Sequence, residues 1–126
     1  MLKRVLAGVG AAMFFAVALP QVAQAQMPQG EQATISGTVI DVSCKFTGGM
    51  SGEQHRKCSV MCADAGVPLA ILGDDGTLYI PVSKGMPGSD QNELLKEYAE
   101  YHVKVTGTVL SAGGAKAIQI DDITKG

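Results

Sequence analysis

Two segments of this chain have a glycine inside a run rich in β-branched residues. They read Ile35-Ser-Gly-Thr-Val-Ile40 and Val105-Thr-Gly-Thr-Val-Leu110. A glycine inside a strand weakens that strand unless the backbone has to bend or bulge there, and closing a small β-barrel requires such bends. The shared pattern therefore predicts that both segments are strands of one closed barrel.

The remaining pattern predicts three further strands and two short helices. Segments rich in apolar and β-branched residues and bounded by turn residues lie at 34–42, 67–72, 77–82, 102–110 and 115–120. A capping-box spacing at Ser51 and Gln54 begins a helix that Gly66 ends, and a second helix is expected at 90–99. Residues 45–50, with their Gly48-Gly49 pair, are expected to form a loop.

These elements predict a mainly β protein with two short helices, built as a five-stranded Greek-key barrel of the OB type. The alternative is an open mixed α+β sheet with both helices packed against it. A chain of this length suits one small core, so residues 34–126 are predicted to form a single domain.

The first 25 residues have the pattern of a secretory signal peptide. Lys3 and Arg4 precede an apolar run at 5–19, and Ala23-Gln-Ala25 has the small residues of a cleavage site after Ala25. The run is shorter than the roughly 20 residues that span a bilayer, so no membrane span is expected. We predict a periplasmic or secreted protein, with a flexible lead-in at 26–33.

Charge argues against nucleic acid as a partner. The full chain has 10 basic and 12 acidic side chains, and removal of Lys3 and Arg4 with the signal peptide leaves 8 against 12. A phosphate backbone would be repelled by this acidic balance. No motif of a nucleophile elbow, a phosphate loop or a zinc protease occurs, so the chain is not predicted to be an enzyme.

The residues that suggest chemistry are three cysteines and a histidine, arranged as Cys44 followed by His55-x-x-Cys58-x-x-x-Cys62. Three thiolates and an imidazole are a common tetrahedral ligand set for Zn²⁺, and soft sulfur also selects Cu(I). At about 100° per residue, His55, Cys58, Met61 and Cys62 share one helical arc, which is predicted to face the core.

The distances between these residues along the helix indicate which of them can bind the same ion. His55 and Cys62 lie about 10 Å apart along a straight helix, so both reach one ion only if the first turn unwinds. Cys58 and Cys62 are therefore predicted as the chelating pair, with Cys44 as third ligand and His55 as fourth. The expected cofactor is Cu(I) or Zn²⁺.

Two other functions suit the same cysteines. Small exported domains commonly contain disulfides, and a bridge from Cys44 to Cys58 or Cys62 would make the protein a non-catalytic interaction module with one thiol left over. The leftover thiol could instead support thiol–disulfide exchange, although the Cys-x-x-Cys motif of thioredoxin-like proteins is absent.

The order of these motifs also resembles a protein group. Asp41-Val-Ser-Cys44, His55-Arg-Lys-Cys58-Ser-Val-Met-Cys62 and Asp74-Asp-Gly-Thr-Leu-Tyr79 look like the pattern of small exported bacterial proteins with an OB-like barrel and no settled activity. The resemblance covers nearly the whole mature chain. It implies that Cys44, His55, Cys58 and Cys62 are characteristic positions of the group, and it implies no reaction.

Overall fold

The computed structural model describes residues 10–13, 15–18 and 30–126. Most of the predicted signal peptide and the first four residues of the predicted lead-in lie outside these ranges. The elements, in chain order, are β1 (Glu31–Asp41), α1 (Val42–Gly48), a 3-10 turn (Glu53–His55), α2 (Arg56–Asp64), β2 (Leu69–Gly73), β3 (Leu78–Pro81), α3 (Asn92–Leu95), a second 3-10 turn (Lys96–Tyr98), β4 (His102–Ala112) and β5 (Ala115–Lys125). In the part of the chain described, no helix combines the length and the apolar character needed to cross a bilayer.

The five strands form a closed barrel in the order β1-β2-β3-β5-β4, and β4 pairs with β1 to complete it. The β3–β5 pair is parallel and the other pairs are antiparallel. The predicted mainly β, OB-like barrel is confirmed. The open mixed sheet is wrong, because each of the five strands pairs with a neighbour on both of its edges and the sheet has no free edge.

The two strand glycines stand where backbones approach each other most closely. At Gly37, β1 pairs with both β2 and β4, and a Cβ added to this residue would overlap the carbonyl oxygen of Leu72. The pairing of β4 with β5 shifts register between Thr106 and Gly107, and a Cβ on Gly107 would overlap the carbonyl oxygen of Gln119. The register shift is the bulge that the sequence pattern predicts.

β1 starts earlier and β5 ends later than the sequence predicts. β1 begins at Glu31, because residues 31–33 pair with the segment 107–109 of β4. The lead-in predicted at 26–33 therefore overlaps β1 by three residues. β5 continues to Lys125, which pairs with Val103 at the start of β4. Cross-strand pairing overrides the polar character of these strand ends.

The segment predicted as a loop at 45–50 is largely helical, and the described residues form three short α-helices where two helices were predicted. α1 begins directly after β1, because the Asp41 side chain caps it by accepting a hydrogen bond from the Cys44 backbone N–H at 2.9 Å. The Gly48-Gly49 pair, on which the loop prediction was based, marks the end of α1. Gly49 adopts the left-handed conformation, with φ of 63°, that commonly ends a helix.

The core lies inside the barrel and is closed at one end by residues of the helices. Its buried members come from four strands together with one residue each of α2 and α3: Val39, Ala63, Leu69, Ile71, Leu95, Val103, Val105, Ile118, Ile120 and Ile123. The side chain of Asn92 joins the helices to the barrel. Its Oδ1 accepts from the Leu69 N–H at 3.1 Å, and its Nδ2 donates to the carbonyls of Ala63 and Val67.

Replacing Gly107 with alanine tests the glycine requirement. We expect Gly107→Ala to lower the free energy of unfolding by about 1–3 kcal/mol, because the new Cβ meets backbone atoms that can move only with the sheet. Urea denaturation of wild type and variant measures the change. Gly85→Ala is the matched control, since a Cβ there has no neighbour within 4 Å. Equal stabilities of the two variants would contradict the steric explanation.

Candidate metal centre

The carboxylate of Asp41 is the innermost group of the candidate site. Asp41 ends β1 and is fully buried, with 0% of its surface exposed. Because Asp41 caps α1 through the Cys44 backbone N–H, its carboxylate lies beside the first cysteine. The site is thus built on the junction of β1 and α1, with α2 supplying the other thiols.

Two overlapping groups of donor atoms meet at Cys44. The Sγ atoms of Cys44 and Cys58 and a ring nitrogen of His55 lie within 4.8 Å of one another, and so do the Sγ atoms of Cys44 and Cys62 and a carboxylate oxygen of Asp41. Donors bound to Zn²⁺ at about 2.0–2.3 Å stand about 3.3–3.8 Å apart in a tetrahedral site. Small side-chain adjustments would bring either group to that spacing, with Cys44 as the shared member.

Two buried polar atoms of this site lack a hydrogen-bond partner. They are Oδ2 of Asp41 and Nε2 of His55, and they are the buried side-chain atoms without a partner among the described residues. Leaving a buried polar atom unpaired is costly, and nearly all such atoms in folded proteins find a partner. His55 belongs to one donor group and Asp41 to the other, so each group contains one residue with such an atom.

The electrostatics of the site keep two of the thiols protonated. A side-chain hydrogen bond with the Asp41 carboxylate, followed by burial and by the negative charge of Asp41, raises the pKa of Cys62 to about 12. Burial, followed by the negative charge of Asp41, raises the pKa of Cys44 above its usual range. Both effects disfavour a thiolate, and a bound cation would counter them by supplying positive charge beside the carboxylate.

A second buried carboxylate holds α2 in place. Glu100 accepts a hydrogen bond from the Ser59 hydroxyl at 2.6 Å and another from the Gly52 backbone N–H at 3.0 Å. Its own backbone has a φ of 64°, an uncommon conformation for a residue with a side chain. Glu100 thereby anchors both the start of the 3-10 turn that carries His55 and the middle of α2.

The predicted inward arc of cysteines is wrong. Cys58 and Met61 are exposed and Cys62 is only partly buried. The buried face of this helical segment runs through His55, Ser59 and Ala63, one helical turn apart from each other. α2 is rotated in this way because Ser59 has to reach Glu100 and Ala63 packs into the core.

The predicted capping box at Ser51 and Gln54 does not form either. Gly52 is the residue before the 3-10 turn, no side chain caps that turn, and the Ser51 hydroxyl instead accepts a hydrogen bond from Lys45 Nζ at 3.4 Å. The Glu100 carboxylate satisfies the Gly52 N–H in place of a local cap. The predicted end of the helix is confirmed, since Gly66 has a φ of 94°.

The four predicted ligands all lie in the two donor groups, but in a different combination. His55, predicted as the fourth ligand for reasons of reach, lies with Cys44 and Cys58, because it ends a 3-10 turn and is not on a straight α-helix. Cys62 lies with Cys44 and Asp41. Sequence reasoning missed Asp41. The available signal was an aspartate three residues before Cys44, the spacing of a side chain that caps a helix.

The three cysteines are free in the structure, so the predicted alternative of a disulfide is not formed. Comparison of the chain with models of protein families, with curated proteins and with solved structures finds no match. The resemblance to small exported OB-like proteins therefore stays a prediction.

Removing the Ser59 hydroxyl tests the anchoring of α2. We expect Ser59→Ala to lower the free energy of unfolding by about 1–3 kcal/mol, because a buried carboxylate loses one of its donors. Chemical denaturation measures the loss. Ser43→Ala, at an exposed position of α1, is the matched control. A loss no larger than that of the control would show that the Ser59–Glu100 bond does not anchor α2.

Alkylation rates test the influence of Asp41 on the thiols. In reduced, metal-free protein at pH 8, iodoacetamide should modify exposed Cys58 first and Cys62 last, because the pKa of Cys62 lies near 12. Asp41→Asn keeps a helix cap but removes the charge, so it should speed alkylation of Cys62 at least about tenfold, corresponding to a pKa lowered by one unit or more. Peptide mass spectrometry follows each cysteine separately.

The control for this experiment is Asp64→Asn, which removes the same charge from an exposed position of α2. An equal acceleration in both variants would assign the effect to net charge and contradict the role of Asp41.

Proposed function

We propose that this protein binds a thiophilic metal ion, Cu(I) or Zn²⁺, through Cys44, His55, Cys58 and Cys62, with Asp41 as a further donor. The observation that supports it most strongly is that the two unpartnered buried atoms, Asp41 Oδ2 and His55 Nε2, belong to the same cluster as three free thiols. An imidazole, a carboxylate and three thiols that converge in this way form a typical ligand set for such ions.

Binding would exchange protons for metal. Thiols ligate as thiolates, so each cysteine that binds releases its proton to solvent. The raised pKa values of Cys44 and Cys62 mean that these protons are held until a cation arrives. The carboxylate of Asp41 then faces a positive ion in place of neutral thiols. This exchange would remove the main electrostatic cost of the site.

The other predicted functions receive less support. Thiol–disulfide exchange needs a cysteine whose pKa is lowered, whereas the pKa values of Cys44 and Cys62 are raised. An interaction module with one disulfide needs a bridge that the structure does not contain. We propose a non-enzymatic protein whose partner is the metal ion and whose location, from the pattern of its first 25 residues, is the periplasm or the exterior.

Metal analysis of purified protein tests the proposal. Reduced protein should bind one equivalent of Zn²⁺ or Cu(I) after dialysis against the ion. Because Cys44 belongs to both donor groups, Cys44→Ser should weaken binding by more than about 100-fold, and Cys62→Ser, which affects one group, should weaken it less. Elemental analysis and competition with a chromophoric chelator measure these changes.

Ser43→Ala controls for the position of Cys44 on α1, and circular dichroism confirms that each variant is folded. Two results would overturn the proposal. One is the absence of stoichiometric copper and zinc in the reduced wild type. The other is a native protein from the periplasm whose mass is lower by about two hydrogens and which has one alkylatable cysteine, because a disulfide would have consumed two of the ligands.

A further inference from the structure

A cavity of about 420 Å³ opens beside the candidate metal centre. It is lined by Gly48, Gly49, Met50, Ser51, Gln54 and His55. The cavity therefore lies between the end of α1 and the 3-10 turn, and one of its lining residues, His55, belongs to a donor group. The only sulfur atom among these lining residues is the thioether of Met50.

Met50 is held close to Cys44 by its backbone and its side chain. Its N–H donates to the Cys44 carbonyl at 3.3 Å. Its side chain folds over Gly48, where an added Cβ would lie 3.5 Å from Met50 Sδ. Gly48 follows Cys44 by one helical turn on the same face of α1. The thioether is thus about one turn away from the thiol that both donor groups share.

The two ends of the cavity differ in exposure. Met50 is 51% exposed, whereas His55 is 7% exposed and its Nε2 has no partner. The thioether of Met50 is therefore far more accessible to an ion in solvent than the imidazole of His55 is. Cys44 and Cys58 lie beside that imidazole, within 4.8 Å. The donors near the cavity thus differ in exposure, from the exposed thioether of Met50 and thiol of Cys58 to the partly buried thiol of Cys44 and the buried imidazole of His55.

The thioether of Met50 also favours Cu(I) over Zn²⁺ as the bound ion. Thioethers are neutral, soft ligands that select Cu(I), whereas protein sites for Zn²⁺ use thiolate, imidazole and carboxylate. We propose that Met50 is a capture ligand for Cu(I), which it transfers through the cavity to the group Cys44, His55 and Cys58, so that the physiological ion is Cu(I). This inference rests on the proposed function.

The transfer needs no redox step. Copper stays in the +1 state throughout, and the Cu–thioether bond breaks as bonds to the Cys44 and Cys58 thiolates form. Each of these two thiols releases one proton to solvent. The exposure of Cys58 allows it to receive the ion while His55 stays buried.

The test compares Cu(I) uptake by wild type and by Met50→Leu, which keeps the apolar volume and removes the sulfur. Cu(I) is supplied as its bathocuproine disulfonate complex under anaerobic, reducing conditions, and loss of the complex's colour gives the rate of transfer. We expect Met50→Leu to slow this transfer at least about tenfold. Zn²⁺ uptake, followed with a chromophoric chelator, and the melting temperature should be unchanged.

Met86→Leu is the matched control, because Met86 is 93% exposed in the loop after β3 and does not line the cavity. It should take up Cu(I) at the wild-type rate. A Met50→Leu protein as fast as wild type would overturn the role of Met50 and leave the metal centre standing. The same holds for a wild type that binds Zn²⁺ but not Cu(I). A wild type that binds neither ion would overturn the proposed function and this inference together.

Discussion

The structure of the site depends on one buried carboxylate at the junction of a strand and a helix. Asp41 is the last residue of β1, and its Oδ1 begins α1 by accepting the Cys44 N–H. Asp41 also raises the pKa of Cys62, first through a side-chain hydrogen bond and then through its negative charge, and it adds to the effect of burial on the pKa of Cys44. Burying such a group is unfavourable unless a partner compensates its charge. The hydrogen bond that positions Cys44 therefore also places a buried negative charge beside its thiol, and a bound cation would compensate that charge.

The rest of the site is positioned by buried polar contacts from distant parts of the chain. Glu100 holds α2 through Ser59 and Gly52, and Asn92 holds the end of α2 and the start of β2 through three hydrogen bonds. Both side chains belong to the segment between β3 and β4, which covers the barrel near α2. Because these contacts set the position and rotation of α2, they decide which of its residues reach Cys44. In this fold the segment after β3 orients the helix that carries two of the candidate ligands.

The barrel was predictable because its signals are local. The interior glycines at 37 and 107 and the segments rich in apolar and β-branched residues each depend on a few neighbouring positions, and the structure has a strand at each. α1 was not predicted, because its cap is an aspartate that also ends a strand, and Gly48-Gly49 marks the end of a short helix as readily as a loop. The polar ends of β1 and β5 were missed because their pairing with β4 is a long-range contact.

For the site itself, the sequence alone determined the set of soft donors: three cysteines and a histidine in two neighbouring segments, on a chain whose pattern predicts export. Tertiary structure decided how they combine. Helical periodicity shows which residues share an arc, but it does not show which arc faces the barrel. The hydrogen bond between Ser59 and Glu100, which lie 41 residues apart in the chain, sets the face of α2 that packs against the barrel. With α2 in this orientation His55 is buried and Cys58 is exposed. The role of Asp41 likewise depends on the tertiary structure. Asp41 is buried where β1 meets α1, and this burial makes a helix-capping side chain a candidate ligand.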